Sequence, residues 1–124
     1  MDTYLKYGQK NQIKLQSANT ALEVNKLEGE QIRTSEAIDS NKSQIKDLNY
    51  RIKMMKKGYL FDNNGVPTMA NEMGEEERKT QLKEAQKQKK ITTKVTKNLE
   101  DQYNIRTGQI GVMKQILEDV GGQR

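Results

Sequence analysis

Apolar side chains recur along this chain at alternating intervals of three and four, the spacing that lines one stripe of an α-helix against a partner helix. In the first half the stripe reads Ile38, Asn41, Ile45, Leu48, Ile52, Met55 and Tyr59. Upstream the same phase continues through Thr34, Gln31, Leu27, Val24, Thr20, Ser17 and Ile13, with a second stripe of Leu15, Ala18 and Leu22 beside it. In the second half the stripe reads Leu82, Ala85, Lys89, Thr92, Thr96, Leu99, Tyr103, Arg106, Ile110, Met113, Leu117 and Val120. The pattern predicts an all-α fold: two long antiparallel helices of coiled-coil type, over 3–57 and 75–120, with a short tail at 121–124. Polar residues at these stripe positions either set register and oligomeric state, at some cost in stability, or mark segments that are simply exposed; the first is the favoured expectation.

The periodicity stops between 58 and 74, the stretch that holds the only proline, Pro67, and the only phenylalanine, Phe61. Two apolar runs, Tyr59 to Phe61 and Val66 to Met69, flank the expected turn Asn63-Asn64-Gly65. Asn-Gly supplies the positive φ angles of a tight hairpin turn, so a short β-hairpin or compact loop should join the helices. Glu75-Glu76-Glu77 places negative charge where the first turn of the second helix favours it, and Gly121-Gly122 is the expected stop. Gly108 and Gly111 share a face; either they admit another backbone or they weaken the helix by about 1 kcal/mol each.

Folding the chain about the middle of the loop sets Leu15 opposite Leu117, Leu22 opposite Ile110, Leu27 opposite Ile105 and Ile38 opposite Val95. It also sets Lys53, Lys56 and Lys57 against Glu75, Glu76 and Glu77. The expected seam within the hairpin is therefore Leu15, Leu22, Leu27, Val95, Leu99, Tyr103, Ile110, Met113 and Leu117. In this register Ile45, Leu48, Ile52 and Met55 face Thr80, Gln81, Glu84 and Lys87. Either Tyr59, Leu60 and Phe61 fold back over that ridge, or another subunit covers it. Two helices share one interface and do not close a core. Subunit contact is therefore expected through Ile38, Ile45, Leu48, Ile52, Met55, Tyr59 and Phe61, in a homo-oligomer or a hetero-assembly.

Composition narrows the function classes. With 32% hydrophobic and 31% charged residues and a mean hydropathy of -1.03, the chain lacks the apolar surface of a globular core, whereas a long coiled coil has this composition routinely. It has no cysteine and no histidine, which removes disulfides, thiolate metal sites and the commonest general base. Asp62-Asn63-Asn64-Gly65 lacks the alternating ligands and closing glutamate of a calcium loop and reads as a turn. No metal, cofactor or catalytic residue is expected, and no enzyme. The first residues carry no leader pattern and no apolar run reaches the length of a membrane span, so the expected location is the cytoplasm or a particle assembled there.

Lys83, Lys87, Lys90, Lys94 and Lys97 recur at fours and threes and share one helical face over roughly 21 Å. Together with a net charge of +5, that stripe makes nucleic acid one alternative partner; without interleaved aromatics or arginines, a solvated outer face is the simpler reading. The leading expectation is a non-enzymatic structural or assembly subunit of a multi-chain complex, such as a virus or phage particle. The layout of long helix, short hairpin at Tyr59 to Met69 and long helix also resembles a prefoldin β-type subunit. That resemblance implies, as the alternative, a holdase chaperone whose hairpins assemble and whose helix ends grip clients.

Overall fold

Without an internal proline, and with heptad spacing throughout, each half of the chain forms a single helix. In a computed structural model describing the backbone of residues 2–122 and the side chains of residues 14–121, α1 spans Asp2–Lys56 and α2 spans Glu75–Gly122. Two three-residue antiparallel strands, β1 (Tyr59–Phe61) and β2 (Pro67–Met69), join them, followed by a 3-10 turn at Glu72–Gly74. The helices pack against each other as the expected αα-hairpin. At its end α2 runs on through Gly121 to Gly122 rather than stopping at Val120. Ile13 lies outside the described side chains.

The hairpin is built from local hydrogen bonds. Gly58, at φ 104°, ends α1 as a left-handed cap whose N–H donates to the Met55 carbonyl at 3.0 Å. Its own carbonyl accepts from the Ala70 N–H at 2.9 Å and closes the base of the ladder. At the tip, Asp62 is the organising residue: its carboxylate accepts from the N–H groups of Asn64 and Val66 at 2.9 and 2.8 Å. Gly65 donates to the Asp62 carbonyl at 3.0 Å and has φ 77°; no residue other than glycine has positive φ among those described. The turn therefore needs one left-handed position, at Gly65, and not the two expected of a two-residue Asn-Gly turn. Pro67 faces Phe61, whose N–H points away from the ladder, so the missing proline N–H costs no strand hydrogen bond.

The chain divides into two compact units: a terminal unit, Met1–Glu36 with Asp101–Arg124, and a hairpin unit, Ala37–Glu100. In the hairpin unit Ile52, Met55, Phe61 and Ala85 form a buried cluster, with Leu48, Met54 and Leu82 packed around it. Met55 is its centre at 2% exposure. Farther along the same helices Ile38, Thr92 and Thr96 are buried. The Thr96 hydroxyl donates to the Thr92 carbonyl at 2.7 Å, and the Thr92 hydroxyl accepts from Gln88 at 3.3 Å, so neither buried hydroxyl is orphaned.

In the terminal unit Val24 is buried, and Leu27, Ile110, Met113, Leu117 and Val120 are half-buried around it. A polar layer crosses this seam. The Arg106 guanidinium donates to Gln31 at 3.2 Å and Thr34 at 2.9 Å and lies 3.4 Å from the Glu30 carboxylate. The Gln31 amide in turn donates to the Tyr103 carbonyl and the Thr107 hydroxyl, both at 2.9 Å.

These contacts correct the expected register. Ile52 packs with Ala85, five residues farther along α2 than the Thr80 it was expected to face. The linker explains the displacement. Two residues, Lys57 and Gly58, lead from α1 into β1, whereas five, Ala70 to Gly74, lead from β2 into α2. The first turns of α2 then pack beside the hairpin, through Arg78 and Gln81, before α2 reaches the α1 stripe at Leu82. Of the residues expected in the hairpin seam, Leu27, Leu99, Ile110, Met113 and Leu117 are half-buried, while Leu15, Leu22, Val95 and Tyr103 are exposed. Those four sit off the register the helices adopt, or at its rim. The expected ion pairs between Lys53, Lys56 or Lys57 and Glu75, Glu76 or Glu77 do not form among the described residues; Glu75 pairs with Arg78 instead.

Candidate interaction surface

Phe61 is the residue on which the end of the hairpin unit converges. Its backbone is gripped at two points by the Gln81 side chain: the Gln81 carbonyl accepts from the Phe61 N–H at 3.0 Å, and the amide donates to the Phe61 carbonyl at 2.9 Å. The open edge of β1 is thereby covered by a side chain of α2. The Phe61 ring meets Tyr50 edge-on, centroids 6.3 Å apart, and the Arg51 guanidinium lies 4.9 Å from the ring centre. Arg78 donates to the Met55 carbonyl at 2.7 Å, a second donor to the last-turn carbonyl that also accepts from Gly58, and forks onto Glu75 at 2.8 Å. The hydrogen bond from Arg78 is the main reason the Glu75 carboxyl sits below its ordinary range, and Glu75 likewise holds Arg78 above its own.

This packing covers part of the expected subunit interface within the chain. Ile38, Ile52, Met55 and Phe61 are buried within the chain, and Ile45, Leu48 and Tyr59 are half-buried. Of the two ways of covering the ridge, the loop folds back: Phe61 closes one end, while Leu82 and Ala85 take the places that the expected register gave to polar residues. The apolar surface left uncovered adjoins part of that ridge. A groove of about 670 Å³ is lined by Leu48, Met55, Phe61 and Ile91, with Arg51, Lys87, Asp62 and Glu84 at its polar positions. Val95, four residues after Ile91, is exposed on the same helical phase. At the hairpin, Val66 and Met69 are exposed, and Met73 in the 3-10 turn is 92% exposed. Ile91 and Val95 were legible in the sequence as an apolar pair one position before the α2 stripe. Gln81 and Arg78 gave no signal, because nothing local marks a polar side chain as the partner of a distant backbone.

The lysines expected to share a face do so. Lys83, Lys87, Lys90, Lys94 and Lys97 are all exposed, and none makes an ion pair among the described residues. In the terminal unit a smaller pocket of about 320 Å³ is lined by Ser17, Thr20, Ile116, Leu117 and Val120. Among the described residues nothing beyond α2's own neighbouring backbone lies within 4 Å of where a Cβ would sit at Gly108 or Gly111, so no described part of α1 packs closely on them. Among the described residues no three carboxylates converge as a metal site, and no helix is long and apolar enough to cross a membrane.

Comparison with protein-family models, with curated proteins and with solved structures found no significant match to this chain.

Proposed function

We propose that this chain is a non-enzymatic structural subunit that works by packing its helical hairpin against other protein chains in a larger assembly, a virus or phage particle being one setting for such a part. The observation that supports this is the imbalance of apolar burial. Among the described residues thirteen large apolar side chains are exposed, against six buried hydrophobic ones. Exposed apolar surface on that scale marks interfaces. The surface offered is the groove between Leu48 and Met55 of α1 and Ile91 of α2, with exposed Val95 beyond it.

The test is mass in solution by light scattering for the parent and for Ile91→Lys/Val95→Lys. The parent should self-associate, and the double variant should lose mass while keeping its helical circular dichroism. A parent that is monomeric at high concentration, resists proteolysis and unfolds as one cooperative monomer overturns the reading.

A second reading, a prefoldin-like holdase, is favoured by one feature: Met69 and Met73 stand exposed beside a β-hairpin between two long helices, and flexible methionines suit varied apolar clients. Suppression of client aggregation, lost in Met69→Ser/Met73→Ser, distinguishes it.

A further inference from the structure

We infer that the outer face of α2 from Lys83 to Lys97 is a binding site for the phosphate backbone of double-stranded nucleic acid. The charge of the protein is not spread evenly. The hairpin unit holds 14 of the 22 lysines and arginines and 9 of the 17 acidic residues, and so carries the whole net charge of +5; the terminal unit, with eight of each, carries none. Within the hairpin unit the excess is concentrated again: between Lys79 and Lys97 there are seven lysines and one acid, Glu84.

The five lysines of the face are exposed, make no ion pair among the described residues and repeat every three or four residues. Their ammonium groups are therefore presented to solvent as a linear array roughly 21 Å long. A linear array of charges fits a linear polyanion rather than a small anion, which one or two of the lysines would suffice to neutralise. A lysine is a point charge that pairs with phosphate from many directions. The face carries no aromatic ring to stack on a base and no arginine fork to read a guanine, so binding is to the backbone, independent of sequence, and tighter for duplex than for single strands.

The experiment is fluorescence anisotropy of a labelled duplex of about 20 base pairs, titrated with the full chain across a salt series. Five phosphate contacts predict a slope of log K against log salt of about -4.5, and Lys90→Gln/Lys94→Gln/Lys97→Gln should flatten it by about 2.7. A charge-matched control, Lys53→Gln/Lys56→Gln/Lys57→Gln, removes the same net charge from the end of α1 and should leave most of the slope in place. Circular dichroism of each variant establishes that the helices are retained. The proposal is overturned if the parent fails to bind duplex at low salt, if the two triple variants lose equally, or if polyglutamate or vesicles of anionic phospholipid bind as tightly as duplex of equal charge. None of Lys90, Lys94 and Lys97 lines the groove offered for assembly, so the mass in solution of their triple variant should match the parent, and failure here is separable from failure of the assembly reading.

Discussion

Gln81 holds both backbone groups of Phe61, at 3.0 and 2.9 Å, and so acts as one residue of a missing third strand. This pair fixes where the β-hairpin sits on α2. Gln81→Ala leaves a part-buried N–H and C=O without partners and should cost about 1–3 kcal/mol. Denaturant unfolding measures the loss, and amide exchange should quicken at Phe61 before the rest of the unit. Unchanged protection at Phe61 would show that the pair holds nothing.

Gly65→Val should destabilise the hairpin by about 1–3 kcal/mol, because a β-branched residue is strained at φ 77°. The helices should survive, so far-ultraviolet dichroism stays helical while the unfolding midpoint drops. An unchanged midpoint would contradict the left-handed turn.

Ile52→Lys and Ile91→Lys should behave differently, although both put a charge on an apolar helix position. Ile52 is 8% exposed inside the cluster with Met55, Phe61 and Ala85, so an ammonium there is buried without a partner and should cost about 3 kcal/mol or more. Ile91 is 46% exposed beside the groove, so its replacement should alter stability by less than about 1 kcal/mol and act on association instead. Thermal melts paired with light scattering separate the two; similar losses of stability would remove the distinction between core and interface drawn here.

Glu75 loses its proton more readily than a free glutamate because Arg78 hydrogen-bonds the ionised form. A carboxyl held below its unfolded value of 4.5 stabilises the fold at pH above that value, and the contribution is lost as pH falls through the lower, folded value. The Glu75 side chain keeps substantial contact with solvent, so the effect on stability is small. A carbon-detected titration of the Glu75 carboxyl should move up to the ordinary range in Arg78→Ala; no movement would exclude Arg78 as the cause.

Arg106→Ala strips a four-residue polar layer from the terminal unit and should destabilise it by about 1–3 kcal/mol. The paired replacement Gln31→Leu/Arg106→Leu should recover that stability, because apolar groups lose nothing by lacking a partner, and should broaden the set of helix registers. The rate of disulfide formation between single cysteines placed at residues 24 and 113 reads the register; an unchanged rate in the double variant would show that the layer does not specify it.

The sequence by itself determined the elements and their inward faces. Periodicity is written locally, so each helix shows its stripe without reference to the other, and Ile38, Ile52, Met55, Val24, Ala85, Thr92 and Thr96 are buried on the phase it predicts. Gly58 and Gly65 mark the ends of helix and turn for a reason equally local, the φ angle each must adopt. Requiring the two stripes to face each other would have excluded the expected pairings of Leu15, Leu22 and Val95, which lie off them. It would still have left registers seven residues apart, since a heptad pattern slid by one heptad meets itself again. Choosing among those was left to the tertiary structure. Unequal linkers, the grip of Gln81 on Phe61 and the bond from Arg78 to the Met55 carbonyl place α2 along α1, and all three join residues more than a dozen positions apart or depend on how the chain turns between them. A polar side chain satisfying a distant backbone leaves no periodic trace, so the register, and with it the identity of the exposed groove, exists only in the folded molecule.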